Sequence, residues 1–350
     1  MVMVNGCACC DVGVLGRRGL LTGASALGTA GLFRSASGAE KPFRIDVHHH
    51  IAPPAWVAAL KAAKLDSPPV TNWRPEQSLE DMDKGGVATA MTSPTLPQVS
   101  FLAAADAARV ARESNEYARK LADDHPGRFG VFAMLPMPHI DESLKELAYA
   151  LDTLHADGIG MMTDYGDKWL GYPEFQPVFD ELNRRKAVVY THPTTPNCCV
   201  NLARDVPDVA VEYGADTTRT IVNLIFSGAS QRYQDISFIF SHGGGVLTAV
   251  AERLQIQIER MPPYKGKFTH DQVQHELNRF FYDTAQVANA VTIEALAKLV
   301  PTTQIVFGSD FPYRTSAETA AGLDQRFKGK VLSGIGRDNV ARILPAVRKL

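Results

Sequence analysis

Eight short apolar runs, each followed by a stretch of helical periodicity, constrain this chain more than any other feature. The runs are "FRIDV" (43–47), "VATAMTS" (87–93), "GVFAML" (130–135), "GIGMMT" (158–163), "AVVYT" (187–191), "SFIFS" (237–241), "RFFYDT" (279–284) and "QIVFGS" (304–309). Several are apolar almost without interruption, as strands buried on both faces are. Between them the spacing turns helical. "DESLKELAYALDTL" opens with a capping Asp141 and repeats Leu144, Leu147, Ala148 and Leu151, while "EFQPVFDELNRR" repeats Phe175, Val178, Phe179 and Leu182. Further helical patterns fall near 104–123, 218–227, 246–259, 288–299 and 337–348. Strands alternating with helices imply a parallel sheet, and eight is the number at which such a sheet closes. An open doubly wound sheet would carry a glycine-rich turn after its first strand; here that position holds "HHHIAPP". The expectation is an α/β protein, a (β/α)8 barrel over residues 40–350. Loop elaborations are expected at 51–76, after strand one, and at 193–217, after strand five.

Residues 1–39 read differently. Arg17 and Arg18 precede a weakly apolar Leu/Ala/Gly/Thr stretch, and small residues follow at Ser37, Gly38 and Ala39. That is the order of an export signal, and the adjacent arginines resemble a twin-arginine signal. Gly16 and Leu20 depart from the usual pattern. The expectation is a periplasmic or exported protein cut after Ala39, with a cytoplasmic protein bearing an N-terminal extension as the alternative. Cys7, Cys9 and Cys10 fall in this segment, with no partner cluster at zinc-site spacing. The remainder keeps Cys198 and Cys199, neighbours that make a poor structural staple, so the fold rests on its core. A net charge of -2 argues against a broad nucleic-acid footprint. No apolar run reaches the ~18 residues of a membrane span.

In a parallel barrel all C-terminal strand ends open on one face, and active sites lie there. Strand one ends in His48-His49-His50, strand five in Thr191-His192, strand six in Ser241-His242 and strand eight in Ser309-Asp310. Residues i and i+2 of a strand point the same way, so His48 and His50 share a target, His49 faces away, and Asp46 sits deeper on the ligand face. Two imidazoles, a third from His192 and the Asp310 carboxylate make a site for one hard-to-borderline divalent ion. Zinc suits it, with manganese possible, and an open position is left for water or substrate. "SHGGG" lacks the G-x-S-x-G elbow that an esterase oxyanion motif requires. Gly243, Gly244 and Gly245 instead let backbone approach the site, and His242 becomes an acid or base beside the metal-bound group. His125, His139, His155, His270 and His275 fall on helix or loop positions among polar neighbours. Trp73, Tyr165, Phe311 and Tyr313 are candidate walls for a flat ring.

With these residues in view, the chain resembles the amidohydrolase superfamily. Asp46-x-His48-x-His50, His192, "SHGGG" and "GSDFP" carry the likeness. Within the superfamily they resemble the decarboxylase branch around aminocarboxymuconate-semialdehyde decarboxylase. "IDVHHHIAPPAW" and "GYPEFQPVFDELNRRKAVVYTHPTTPN" are closer to its 6-methylsalicylate decarboxylase-like members. The resemblance covers roughly residues 43–348. It implies His48, His50, His192 and Asp310 as metal ligands and His242 as acid/base. It further implies a homodimer, in which Arg253 reaches the substrate carboxylate of a partner subunit. The branch carries another substrate-binding arginine upstream of the tryptophan, where this chain reads "PPVTNW", so the aminocarboxymuconate substrate does not carry over. Binuclear relatives use a carbamylated lysine at the end of strand four; this strand ends "MMTDYG", so one metal is expected. The implied activity is a metal-dependent, non-oxidative decarboxylation of a 2-hydroxybenzoate-like or enoic acid. His242 or Asp310 would deliver the proton, and metal and arginine would hold the charge. The alternative is a hydrolase, such as a lactonase, attacking with a metal-bound hydroxide.

Overall fold

The computed structural model describes residues 43–262 and 264–344; the export-signal expectation for 1–39 lies outside them. The strands are β1 Arg44–His50, β2 Val87–Ser93, β3 Phe129–Met134, β4 Gly158–Met162, β5 Val188–His192, β6 Ser237–Phe240, β7 Phe281–Asp283 and β8 Ile305–Val306. They are hydrogen-bonded in chain order and every pairing is parallel. The ring closes beyond the short β8: Val47 N donates to Phe307 O at 2.9 Å, Asp310 N to His48 O at 2.8 Å and His50 N to Phe311 O at 2.8 Å. The fold is a (β/α)8 barrel.

Strand alternation divides the core into two layers. Ile45, Val47, Met91, Phe132, Tyr190, Ile239, Phe281 and Val306 form an inner cluster, which Val340 and Leu344 of the C-terminal segment join. The residues beside them, among them Val131, Val189, Phe238, Phe240 and Tyr282, belong to a second cluster shared with the surrounding helices. Because both faces are covered, the strands read as nearly unbroken apolar runs. The helices carry the matching stripe: Ala104–Asp124 buries Ala107, Val110, Ala111, Ala118 and Leu121, and Gln176–Arg184 buries Val178, Phe179 and Leu182.

Three local expectations change. The 51–76 elaboration is largely helical, with Pro54–Ala63 and Pro68–Thr71 both opening on proline, where the missing N–H costs nothing. Asp141 is not a cap: His139 is the N-cap of Ile140–Asp152, and Asp141 sits in the first turn. The pattern at 337–348 gives only short helical pieces, Gly334–Asp338 and Asn339–Ala341, up to residue 344. Among the described residues no helix is long and apolar enough to cross a membrane.

Candidate metal centre and active site

The histidine run ends a strand whose seven residues are all buried. The β1–β2 register slips between Asp46 and His49, so that three steps on β1 match two on β2. Such a bulge breaks the i, i+2 rule locally. Asp46 therefore does not lie beneath His48 and His50 on the ligand face. Its carboxylate accepts from the backbone N–H of His48 at 3.0 Å and of Ser309 at 2.9 Å, and lies 3.3 Å from His49 Nδ1. His49 turns outward, with Nε2 2.8 Å from Ser78 Oγ and its ring stacked on Phe311 at 4.7 Å.

Beyond the bulge His48 and His50 converge, their Nε2 atoms 3.1 Å apart. His192, from the end of β5, brings its ring centroid to 4.8 Å from His50 and 5.3 Å from His48. Asp310 Oδ1 lies 3.1 Å from His48 Nε2 and 3.3 Å from His50 Nε2. All four residues are buried and offer ligand atoms within 4.8 Å of one another. Each imidazole is also held from behind. Nδ1 of His48 meets Asp283 Oδ2 at 2.8 Å, that of His50 meets Ser93 O at 3.2 Å, and that of His192 meets Pro193 O at 2.8 Å. With Nδ1–H donated outward, every Nε2 presents a lone pair to the common centre, the arrangement of metal-ligating histidines. Asp310 Oδ1 is buried without a hydrogen-bond partner, an expensive state unless a cation meets it. The donor set fits a divalent ion.

The electrostatics agree. Burial opposes a proton on His48, but the carboxylates of Asp310 and Asp283 outweigh it and raise the ring to about 10. Burial also works against ionisation of Asp310, yet His48 and its fellow imidazoles hold that carboxyl well below the usual range. Burial, with neighbouring imidazoles adding to it, holds His50 and His192 below the ordinary histidine value. The cluster thus binds positive charge in the presence of an ionised carboxylate.

His242 lies at the edge of the cluster, Nε2 3.5 Å from Asp310 Oδ2. Its backbone is left-handed at φ 52°, as is that of Asp310 at φ 71°, a conformation uncommon for non-glycine residues and concentrated at functional sites. The next turn needs its glycines: a Cβ on Gly245, φ 70°, would lie 2.0 Å from Gly214 O.

Several contributors escaped the sequence reading. Asp283, ending β7, bonds His48 Nδ1 and accepts from the His242 backbone N–H at 2.8 Å. Gln286 Nε2 donates to Asp310 Oδ2 at 2.5 Å. Asp216 accepts from Trp169 Nε1 at 2.7 Å, from Thr194 N at 3.3 Å and from Thr163 Oγ1, whose oxygen also lies 3.3 Å from His192 O. That network fixes the backbone around the third imidazole. Carboxylates and amides ending strands or opening helices were the available signal, and Asp283 in "FYDT" showed it.

The cluster opens into a cavity of about 580 Å³. Leu60, Leu65, Val70, Leu96 and Phe101 form its apolar wall; His192, His242, Asp310, Gln286, Tyr213 and Tyr313 supply polar groups, and among the described residues no lysine or arginine lines it. Of the aromatic candidates only Tyr313 stands in this wall. Trp73 is buried behind it, its Nε1 donating to Ser78 Oγ at 3.0 Å. Phe311 is held by its stack on His49. The Tyr165 hydroxyl accepts from the Met162 backbone N–H at 2.9 Å, and its ring packs on Phe175. Packing claims all three, so they stand outside the cavity lining. Arg253 is exposed on the helix Leu247–Arg260, also away from the cavity.

Comparison with known proteins follows the same line. The family model described as amidohydrolase matches residues 45–345. Decarboxylase yanB of Aspergillus niger is 37% identical over 327 residues, covering 86% of this chain and 87% of the relative. The 6-methylsalicylic acid decarboxylase acuB of Aspergillus aculeatus is 38% identical over 280 residues, covering 77% and 84%. In fold, the chain is similar to a dihydroxybenzoic acid decarboxylase from a Polaromonas species, solved with bound manganese and the inhibitor 2-nitroresorcinol. The TM-score is 0.76 at 18% identity, over 86% of this chain and 96% of the other.

Proposed function

This chain belongs to the amidohydrolase family, and from that premise we propose that it is a metal-dependent, non-oxidative carboxy-lyase acting on 2-hydroxybenzoate-like acids. The observation that carries the reading is the convergence, beside an apolar cavity, of three outward-anchored imidazoles and one carboxylate oxygen that has no hydrogen-bond partner. His48, His50, His192 and Asp310 would hold one divalent ion, zinc by the nitrogen-rich donor set or manganese as in the Polaromonas enzyme. Bound there, the ion supplies positive charge to the phenolate and carboxylate oxygens of the acid. The chain's own groups move the proton. His242 and Asp310, facing each other at 3.5 Å across the cavity floor, hold it at Nε2 or Oδ2. It passes to the ring carbon that bears the carboxylate; the bond to the carboxylate breaks, and its electron pair restores the aromatic ring as CO2 leaves. Gln286 keeps Asp310 Oδ2 turned toward this exchange. The apolar wall suits an alkylated ring such as 6-methylsalicylate, the acid for which the Aspergillus aculeatus relative is named.

Since no lysine or arginine among the described residues lines the cavity, the proposed homodimer would bring Arg253 of a second copy to the carboxylate. Residues 1–39 are proposed as a cleaved export signal, which N-terminal sequencing of protein from the native envelope tests.

The enzymatic test is CO2 release from a panel of salicylate, 6-methylsalicylate and dihydroxybenzoates by metal-loaded protein. His192→Ala should lose metal and turnover together. His242→Asn should retain metal while kcat falls by ~10²–10⁴. Cleavage of esters or lactones with no CO2 from any acid would defeat the proposal.

A further inference from the structure

Cys198 and Cys199 stand in the three-residue turn Asn197–Cys199, on the segment that leads from His192 to the cavity-lining Val209. Both are free thiols, Cys198 exposed and Cys199 buried. Their Sγ atoms are 2.7 Å apart, one thiol donating to the other. Non-bonded carbon atoms settle at ~3.5–4.0 Å and sulfur is larger, so the two sulfurs are pressed together. The hydrogen bond from its neighbour, then burial, pushes the Cys199 thiol up to about 11. Because Cys198 is exposed and Cys199 buried, the outer sulfur meets an oxidant first, while the inner one waits beside it. Sensor cysteines poised next to a resolving cysteine have this arrangement. Adjacent residues are also the wrong pair for a permanent staple. Their Cα atoms are ~3.8 Å apart across a trans peptide, short of the ~4.4–6.8 Å of ordinary disulfides. A bond between them is strained and hence easily reduced.

We propose that Cys198 and Cys199 are a reversible dithiol–disulfide modification site that adjusts the cavity mouth. The oxidant is a small disulfide such as oxidised glutathione. Cys198, having given its proton to solvent, attacks one sulfur of that disulfide; a mixed disulfide forms and one small thiolate leaves. Cys199 then loses its proton and attacks Cys198 Sγ, expelling the second thiolate. The two protein thiols are oxidised and the small disulfide is reduced to two thiols. Ring closure reshapes the 198–199 peptide, whose Cys198 N–H now donates to Asp167 Oδ1 at 3.4 Å, and the change propagates to Val209. His192 lies upstream of the turn, fixed by β5 and by Pro193 O, so metal content stays constant.

Full-chain protein equilibrated in glutathione buffers of rising oxidised fraction, quenched with N-ethylmaleimide and cut with trypsin, tests this. Cleavage after Lys186 and Arg204 isolates the pair from Cys7, Cys9 and Cys10. The expected result is peptide 187–204 lighter by two hydrogens and carrying no adduct, restored to two maleimide adducts by dithiothreitol. Two maleimide adducts in the most oxidising buffer, retained glutathione, or a cross-link to another peptide would overturn the site. The effect on the mouth rests on the decarboxylase reading and is followed by calorimetric binding of salicylate, whose Kd should rise about threefold or more on oxidation. Cys199→Ser in the same buffers should show no change. An unchanged Kd in fully oxidised wild-type protein would overturn the coupling. Failure of salicylate to bind the reduced protein would count against the decarboxylase reading instead, and the mass result would stand.

Discussion

Asp283 shows how much one side chain decides. Its carboxylate holds His48 Nδ1 at 2.8 Å and the backbone N–H groups of His242 at 2.8 Å and Ala285 at 3.0 Å, at zero exposure. It therefore sets both the tautomer of His48 and the place of His242. Asp283→Ala should weaken metal binding by ~10–100-fold, as losses of such partners do, measured by competition with a chromophoric chelator. Ligand imidazoles must be neutral to bind. Because Asp310 and Asp283 raise His48 to about 10, a proton on that ring competes with the ion; metal affinity should accordingly rise as pH climbs toward that value and fall as pH drops, read by competition with a chelator across pH. Sequence reading found His48, His50, His192 and Asp310 because strand ends of a parallel barrel converge. It misplaced Asp46 because a bulge has no fixed signature in sequence, and it passed over Asp283 because a lone Asp after a strand resembles any turn residue.

At the scale of elements, the strands were legible because burial on both faces leaves an unmistakable apolar run. The helix Ser316–Arg326 was passed over although Thr315 and Glu318 form a capping box; its buried stripe is Ser316, Thr319, Ala320 and Leu323, and periodicity measured by large residues misses it. Thr315→Ala should cost about 1 kcal/mol. Phe240, fully buried on β6, packs on Phe238, Phe280 and Tyr282 with ring centroids 5.8, 5.1 and 6.3 Å away. Phe240→Ala should cost ~3–5 kcal/mol in denaturant unfolding while leaving the ligand set of any folded fraction intact, since the ring lies in the outer core layer. Of the four aromatic candidates, Trp73, Tyr165 and Phe311 are held by packing, as large rings near strand ends that fill the gaps between loops, and Tyr313 faces the cavity.

For the whole molecule, the cavity has apolar walls, a polar floor and, among the described residues, no lysine or arginine, while Arg253 stands exposed on an outer helix. If a second copy completes the site, light scattering should give a dimer mass. Arg253→Ala should then raise KM for salicylate more than it lowers kcat, with metal content unchanged; a monomer active at wild-type KM would remove that role. Stripping the metal should also lower the unfolding midpoint. An ion present at a hundred times its Kd stabilises the native state by about 2.7 kcal/mol.

The sequence by itself determined the barrel and the mouth at which its histidines gather, because each follows from periodicity and strand direction, which are local. Only the tertiary structure decided that Asp46 abandons the ligands, that Asp283 and Gln286 orient them, and which ring faces the cavity. Those outcomes depend on register shifts and on contacts between residues far apart in the chain, where a bulge or a stacked ring redirects a side chain that local pattern would have aimed elsewhere.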